Sequence, residues 1–261
     1  MRGPLSLVVG LTVAPFVALT AQATEDKFWG QWRGPQANGV STTAKPPTEW
    51  GESKNVRWKV ELPGRGTSTP VIWGDRVYVL TAAPVGVELA ASHDAPGSRG
   101  QVVAHRMMVM ALDRKTGKTV WERIAREVTP HEGYHNQFGT YASSSAVTDG
   151  EVLIASFESR GIYAYDMNGK PLWDVDLGDK QMRNQFGEGA TPALYKDRII
   201  VVWDHQGESF IAALDKKTGK ELWRQKREEI DSWGTPLVVE HAGKAQVVTG
   251  ATRGIRSYDL Q

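Results

Sequence analysis

The sequence predicts an all-β fold, a β-propeller of four-stranded blades with about four blades present. Three observations predict it. One phrase returns along the chain: Ala111-Leu-Asp113-Arg-Lys-Thr116-Gly117-Lys118-Thr-Val-Trp121, then Ala164-Tyr-Asp166-Met-Asn-Gly169-Lys170-Pro-Leu-Trp173, then Ala213-Leu-Asp215-Lys-Lys-Thr218-Gly219-Lys220-Glu-Leu-Trp223, and a fourth copy that begins at Ser257-Tyr-Asp259. Its spacing of 44 to 53 residues is a repeat-architecture period. Short β-branched runs with turn signals every 8 to 12 residues separate the phrases. Most of the ten tryptophans fall at matching points of the repeat. Four-stranded sheets repeated about an axis make a propeller. A repeat describes a scaffold, so function has to come from a site.

The elements follow in chain order. Residues 1–23 read as a secretory signal: Arg2 gives the positive start, Leu5 to Leu19 the apolar stretch broken by Gly10 and Pro15, and Ala21-Gln22-Ala23 the small-residue cleavage site. The run is too short and interrupted for a membrane span. The expectation is an exported protein, periplasmic or secreted, with no span after cleavage. Residues 24–54 form a non-repetitive lead-in, with the aromatic stretch Phe28-Trp-Gly-Gln-Trp32-Arg33-Gly34-Pro35, expected to lie across the propeller surface. The propeller is placed at 55–261. Asn55 to Leu62, with Trp58, reads as an outer strand lacking preceding partners.

Blades are placed at about 67–126, 140–178, 187–227 and 232–261, the last incomplete. Each opens on a small, polar lead-in such as Ser68-Thr69-Pro70 or Thr235-Pro236. A tight turn follows, then a β-branched strand, a third strand ending in the Ala-x-Asp phrase, and a fourth carrying the tryptophan. The turn has a mechanism. Asp113, Asp166, Asp215 and Asp259 accept backbone N–H bonds at its first position. Gly117, Gly169 and Gly219 take a position that needs φ > 0. Trp121, Trp173 and Trp223 then pack between neighbouring units, which buries area that one sheet alone cannot.

This Ala-x-Asp-x-x-Thr-Gly-Lys-x-x-Trp phrase resembles the tryptophan-docking repeat of the PQQ-like, or quinoprotein alcohol dehydrogenase-like, propellers. The resemblance covers roughly residues 55 to 261. It implies a seven- or eight-bladed ring, of which this chain would be the N-terminal part. A closed four-bladed ring, with Asn55–Leu62 completing the last unit, stays open as the other reading. The family includes PQQ-dependent alcohol dehydrogenases and a non-enzymatic propeller lipoprotein that assists outer-membrane barrel assembly. In the dehydrogenases the quinone stacks between a tryptophan floor and an adjacent cysteine pair, calcium is held by carboxylate and amide groups, and an aspartate acts as base. This sequence contains no cysteine. That also removes disulfides and thiolate chemistry from these 261 residues.

Strand alternation sorts the loops. Links between blades and links from second to third strand fall on one face, and this group holds every long or chemically rich loop: 85–105, 130–139, 183–189, 204–209 and 228–233. The opposite face carries short turns, such as Gly74-Asp75 and Asp149-Gly150. Binding groups concentrate on loops held by a rigid scaffold, so a site is expected on the rich face. Its candidates are His131, His135, Gln137, Arg183, Glu188, Asp204, His205 and Glu208.

His131-Glu132-Gly-Tyr-His135 matches the H-E-x-x-H pattern, yet that zinc chemistry needs a helix and Pro130 and Gly133 argue for a loop. A looser metal or ligand role for the two histidines is the alternative to plain loop hydrogen bonding. Asp204, Glu208 and Glu188 offer oxygen ligands of the kind a hard cation takes; the structural reading is a hydrogen-bond network tying blades together. Gly64-Arg65-Gly66 lacks the pattern of a phosphate loop. With 31 basic against 30 acidic residues there is no electrostatic case for nucleic acid. The sequence reading is therefore a non-catalytic exported propeller that presents its loop-rich face to a protein or cell-envelope partner, with no catalytic residue, metal or cofactor assigned. A PQQ- and calcium-dependent dehydrogenase, or a small-ligand or metal-binding propeller, is the alternative.

Overall fold

Four antiparallel sheets follow one another along the chain. The computed structural model describes residues 28–86, 100 and 102–260; the signal placed at 1–23 and most of the 85–105 loop lie outside them. Blade 1 has strands β1 (Val71–Trp73), β2 (Arg76–Pro84), β3 (His105–Asp113) and β4 (Thr119–Val128), in that order across the sheet. Blade 2 has β5 (Val147–Thr148), β6 (Val152–Ser156), β7 (Ile162–Asp166) and β8 (Pro171–Val175). Blade 3 has β9 (Ala193–Tyr195), β10 (Arg198–Trp203), β11 (Phe210–Asp215) and β12 (Glu221–Lys226). A fourth sheet has three strands, β13 (Leu237–His241), β14 (Lys244–Ala251) and β15 (Gly254–Asp259). The all-β, part-propeller expectation holds.

The core lies between sheets rather than inside any one. Every residue of β6 is buried, and so is most of β3, β10 and β11, so these middle strands read as continuous apolar runs. Leu80, Met107 and Val109 of blade 1 pack with Leu153 and Ala155 of blade 2. Ile154 and Ile162 of blade 2 meet Ile199, Val201 and Leu214 of blade 3. Ile200 and Ile211 meet Val247 of the fourth sheet. The first strands β1, β5, β9 and β13 touch one another in series, which places them nearest the axis.

The tryptophan seams work as the repeat implies. The indole N–H of Trp58 donates to Arg114 O at 3.0 Å, that of Trp121 to Met167 O at 3.2 Å, and that of Trp173 to Lys216 O at 2.9 Å, each time into the turn of the next blade. The rings lie on the turn glycines so closely that a Cβ on Gly117, Gly169 or Gly219 would sit 2.6 Å from an indole carbon. All three glycines have positive φ. Asp113 Oδ1 accepts from the backbone N–H of Thr116 at 2.8 Å and of Lys115 at 3.1 Å, and Asp215 repeats the pattern with Thr218 and Lys217. The Thr116 hydroxyl and backbone bonds hold the Asp113 carboxyl below its usual range.

One expectation differs from the structure. Asn55–Leu62 forms no strand, because no inner strands stand beside it to pair with; only Trp58 takes its place on the Gly117 turn. The lead-in lies against the inner strands of the propeller. It runs along the axial strands: Ile72 N donates to Trp29 O at 2.7 Å and Thr148 N to Gly30 O at 2.8 Å, which ties blades 1 and 2 together. Gly64-Arg65-Gly66 has a structural use. Arg65 bridges Ala82 of β2, and a Cβ on Gly64 or Gly66 would strike the Ala82 or Leu80 carbonyl at 2.1 or 2.3 Å.

Candidate functional site: the loop-rich face

The loops of the rich face converge as strand order requires, and they form two layers. The inner layer is charged and buried. Glu188 is buried, with Oε1 accepting from Arg160 at 2.7 Å and Oε2 from Ser159 N at 2.9 Å. Glu158 takes the Lys180 ammonium and the Ser144 hydroxyl, the latter at 2.6 Å. Lys180 also stands over the Trp203 ring, 4.5 Å from its centre. Burial pushes the Glu158 carboxyl up. Burial also acts upward on Glu188, but Arg160, Lys180 and the Ser159 bonds outweigh it and leave its carboxyl below the usual range.

The second buried pair joins blade 3 to the fourth sheet. Asp204 and Arg227 are both fully buried and meet through two bonds of 2.7 and 2.9 Å. Arg227 also donates to Thr249 Oγ1 at 2.8 Å and to the Tyr258 hydroxyl at 2.6 Å. Two bidentate carboxylate–guanidinium or carboxylate–backbone arrangements thus close the blade junctions from beneath.

The histidines are used as hydrogen-bonding groups. His205 Nδ1 accepts from Gln181 N at 3.1 Å and Gly207 N at 3.2 Å, so Nε2 carries the proton and faces Glu208 O at 3.3 Å. Burial lowers its pKa, which keeps the ring neutral. His131 Nε2 lies 2.6 Å from Lys180 O and therefore donates to it. The 131–135 stretch is irregular, not helical. His131, Glu132 and Glu188 offer ligand-type atoms within 4.8 Å of one another. Each is committed elsewhere: His131 to Lys180 O, Glu188 to Arg160 and Ser159, and Glu132 to Met182 N at 3.1 Å. With Arg160 and Lys180 beside them, and Arg227 on Asp204, these carboxylates do not fit the calcium ligand set that the resemblance implies.

The outer layer is aromatic and exposed. Phe138 is 73% exposed, Trp233 44% and Phe186 38%. They come from three successive inter-blade links and are knitted together. The His135 ring stacks on Phe138 at 4.8 Å and meets Phe186 edge-on at 5.4 Å. His135 N donates to Phe186 O at 3.1 Å, and the Trp233 indole donates to Gly187 O at 2.8 Å. Arg183, half-exposed, borders this rim and pairs with the buried Asp231. Asn184 and Gln185 beside it both have φ of 51°, a left-handed conformation that costs energy and persists only where the surroundings fix the loop.

The structure therefore separates the residues singled out in the sequence. Glu188, Asp204 and His205 are internal ties, with His131 alongside. His135 and Arg183 belong to the rim, and Gln137 is exposed next to it. Glu208 is solvent-exposed and, among the described residues, pairs with Lys226 at 3.2 Å. Sequence reasoning missed the cations Arg160, Lys180 and Arg227, whose partners lie 22 to 28 residues away. It also missed Phe138, Phe186 and Trp233, although an aromatic in every inter-blade link was a visible signal.

Residues 105–260 match the family described as outer membrane protein assembly factor BamB. No curated protein matches the sequence. Among solved structures the chain is similar to the quinohemoprotein alcohol dehydrogenase of Comamonas testosteroni, at 15% identity and a TM-score of 0.51, over 93% of this chain and 43% of that one. It is similar to a europium-containing methanol dehydrogenase at 13% identity and a TM-score of 0.50, over 92% and 58%. BamB from Moraxella catarrhalis aligns at 16% identity and a TM-score of 0.40, over 76% and 59%. The chain thus spans between 43% and 59% of the length of these structures. Identities this low speak to fold and not to activity. On the match over residues 105–260, the chain belongs to the BamB family of PQQ-like propellers.

Proposed function

We propose that this chain is an exported, non-catalytic propeller scaffold that holds a protein partner of the cell envelope at its loop-rich face. One observation carries the reading: the exposed groups on that face include three large aromatic side chains, Phe138, Phe186 and Trp233, while the acids Glu158, Glu188 and Asp204 beneath them are buried and paired with cations. Exposed aromatics held rigidly are what protein interfaces use as anchors. Reactive carboxylates need an accessible, unpaired oxygen, and these have none. The family is described by its role in outer membrane protein assembly, and we take the partner to be a protein of that process. On this reading no cofactor or metal is required, and nucleic acid is not a partner.

The test places a photocrosslinking phenylalanine analogue at position 138, and in a second strain at position 75 on the opposite face. The expected result is an adduct with a component of the outer-membrane assembly machinery from position 138 and none from position 75. Adducts from position 75 alone would refute the face assignment. Adding PQQ with calcium to the purified protein supplies the second arm. A tight, calcium-dependent quinone absorbance would replace the scaffold reading with the dehydrogenase one.

A further inference from the structure

The turn that receives Trp121 differs chemically from its counterparts in blades 1 and 3. There the residue before the turn glycine is a threonine, Thr116 or Thr218, whose hydroxyl bonds back to the turn aspartate at 2.8 or 2.7 Å. Blade 2 carries Asn168-Gly169 instead. The chain has five asparagines, and two of them, Asn38 and Asn168, precede a glycine. Glycine has no Cβ to shield its own nitrogen, so that nitrogen can reach the carboxamide before it. Val56, Gln137 and Gln185 screen the nitrogen after the other three. The two Asn-Gly pairs are held differently. At Asn38 the carboxamide is engaged on both sides: Nδ2 donates to Gln36 Oε1 at 3.2 Å, and Oδ1 accepts from Val40 N at 2.9 Å. Its backbone is pinned as well, since Arg33 donates to Asn38 O at 2.9 Å and Gly39 N donates to Arg33 O at 2.8 Å. Asn168 is exposed, and the hydrogen bond it makes among the described residues comes from its backbone N–H, to Asp166 Oδ1 at 2.9 Å. Its carboxamide is free. Releasing Gly169 N for attack breaks one bond, of 2.9 Å, to Asp166 O. An exposed turn is where such local opening costs least.

We propose that Asn168 is a spontaneous deamidation site, and that its conversion to isoaspartate loosens the seam between blades 1 and 2. Gly169 N attacks Asn168 Cγ and gives up its proton. The N–Cγ bond forms, and the side-chain nitrogen leaves as ammonia. Water then opens the five-membered imide at either carbonyl. Attack at Cγ gives aspartate. Attack at the backbone carbonyl gives isoaspartate, in which the chain runs through Cγ and is longer by one carbon. One water is consumed and one ammonia released, with no oxidant or reductant. Asparagine is among the thermolabile residues for this kind of reason. The product lands on the seam itself. Asn168 stands between the two carbonyls that hold blade 1: Met167 O accepts from the Trp121 indole at 3.2 Å, and Gly169 O accepts from Arg123 Nε at 2.7 Å. An added backbone carbon changes the spacing of these two acceptors and shifts Gly169, on which the Trp121 ring lies. Either product also puts a carboxylate two residues from Asp166, whose Oδ1 accepts from Asn168 N and Lys170 N. The Thr-Gly turns of blades 1 and 3 have no carboxamide at this point and cannot react in this way.

The experiment incubates the purified chain for days in warm, mildly alkaline buffer. Peptide mass spectrometry, with fragmentation that separates aspartate from isoaspartate, follows each asparagine. Position 168 is expected to convert several-fold faster than position 38, with isoaspartate among its products. Once position 168 has turned over, the aged protein is expected to melt below the fresh protein and below Asn168→Asp, which carries the charge without the added carbon. Asn168→Ser has no carboxamide and is expected to keep its melting temperature through the same incubation. An unconverted Asn168, or faster conversion at Asn38, would overturn the proposal. So would aged wild type that melts together with Asn168→Asp, or an Asn168→Ser protein that loses stability on the same schedule.

Discussion

Replacing Arg227 by methionine isolates what the buried charges of the loop-rich face do. Arg227 makes four hydrogen bonds, two of them to Asp204, and both side chains are fully buried. Methionine keeps much of the stem volume but leaves the Asp204 carboxylate uncompensated. Removing one partner of a buried ion pair costs about 3–5 kcal/mol. For a domain of this size, each kcal/mol moves the melting temperature by about 2–4 °C, so a fall of roughly 6–20 °C is expected. Asp204→Leu added to Arg227→Met removes the stranded charge. It should recover much of the loss, with a coupling energy on the order of 1–3 kcal/mol in a double-mutant cycle read by urea denaturation. Thr249 and the Tyr258 hydroxyl still lose a donor, so recovery is partial. A loss under about 1 kcal/mol for Arg227→Met, or additive effects in the double variant, would refute the view that Asp204 is a structural tie.

Three further predictions follow the same physical terms. Gly169→Ala forces both a left-handed backbone and a Cβ 2.6 Å from Trp121, whereas Gly243→Ala has φ of 75° with nothing within 4 Å; the first should cost more than the roughly 1–3 kcal/mol of backbone strain alone, and equal melting temperatures would contradict the seam. Trp173→Phe loses a 2.9 Å bond to Lys216 O while the Trp223 N–H has no partner among the described residues, so Trp173→Phe should cost about 1 kcal/mol more than Trp223→Phe in denaturant titrations. The pH profiles of two glutamates should have opposite signs. Glu188 has a lowered pKa, so its contribution is present above the unfolded value near 4.5 and fades as pH falls through the folded value. Glu132 is raised by burial, so its contribution is present below the unfolded value and is lost as pH rises through the folded one. Glu188→Gln should therefore destabilise most at pH 7 and little near pH 4, and Glu132→Gln should stabilise at pH 7; matching profiles for the two would sink the assignment.

The blades were legible because local chemistry sets them. Asp113, Gly117 and Trp121 lie within one turn and one strand, so their roles show in the spacing, and the buried middle strands show as apolar runs such as Val152–Ser156. Asn55–Leu62 misled because strand propensity is local while pairing is not. The candidate site was legible as a place and not as a chemistry. The rich loops converge as strand order requires, but the acids chosen from sequence, Glu188 and Asp204, meet Arg160 and Arg227 only in three dimensions. A carboxylate with such a partner is a tie; without one it is a ligand; sequence spacing does not separate the two. The aromatic rim was spread over three links, with Phe138, Phe186 and Trp233 spaced 48 and 47 residues apart, a distance at which side chains meet only through the stacking of blades.

The most direct measurement compares partner capture by folded Phe138→Ser/Phe186→Ser protein with capture by Asp75→Ala protein, using an assembly component identified by crosslinking at position 138. Anchors of this kind are worth about 2 kcal/mol each, so the aromatic double variant should lose well over tenfold in affinity. Asp75→Ala should bind as the wild type does. Undiminished binding by the double variant would contradict the account.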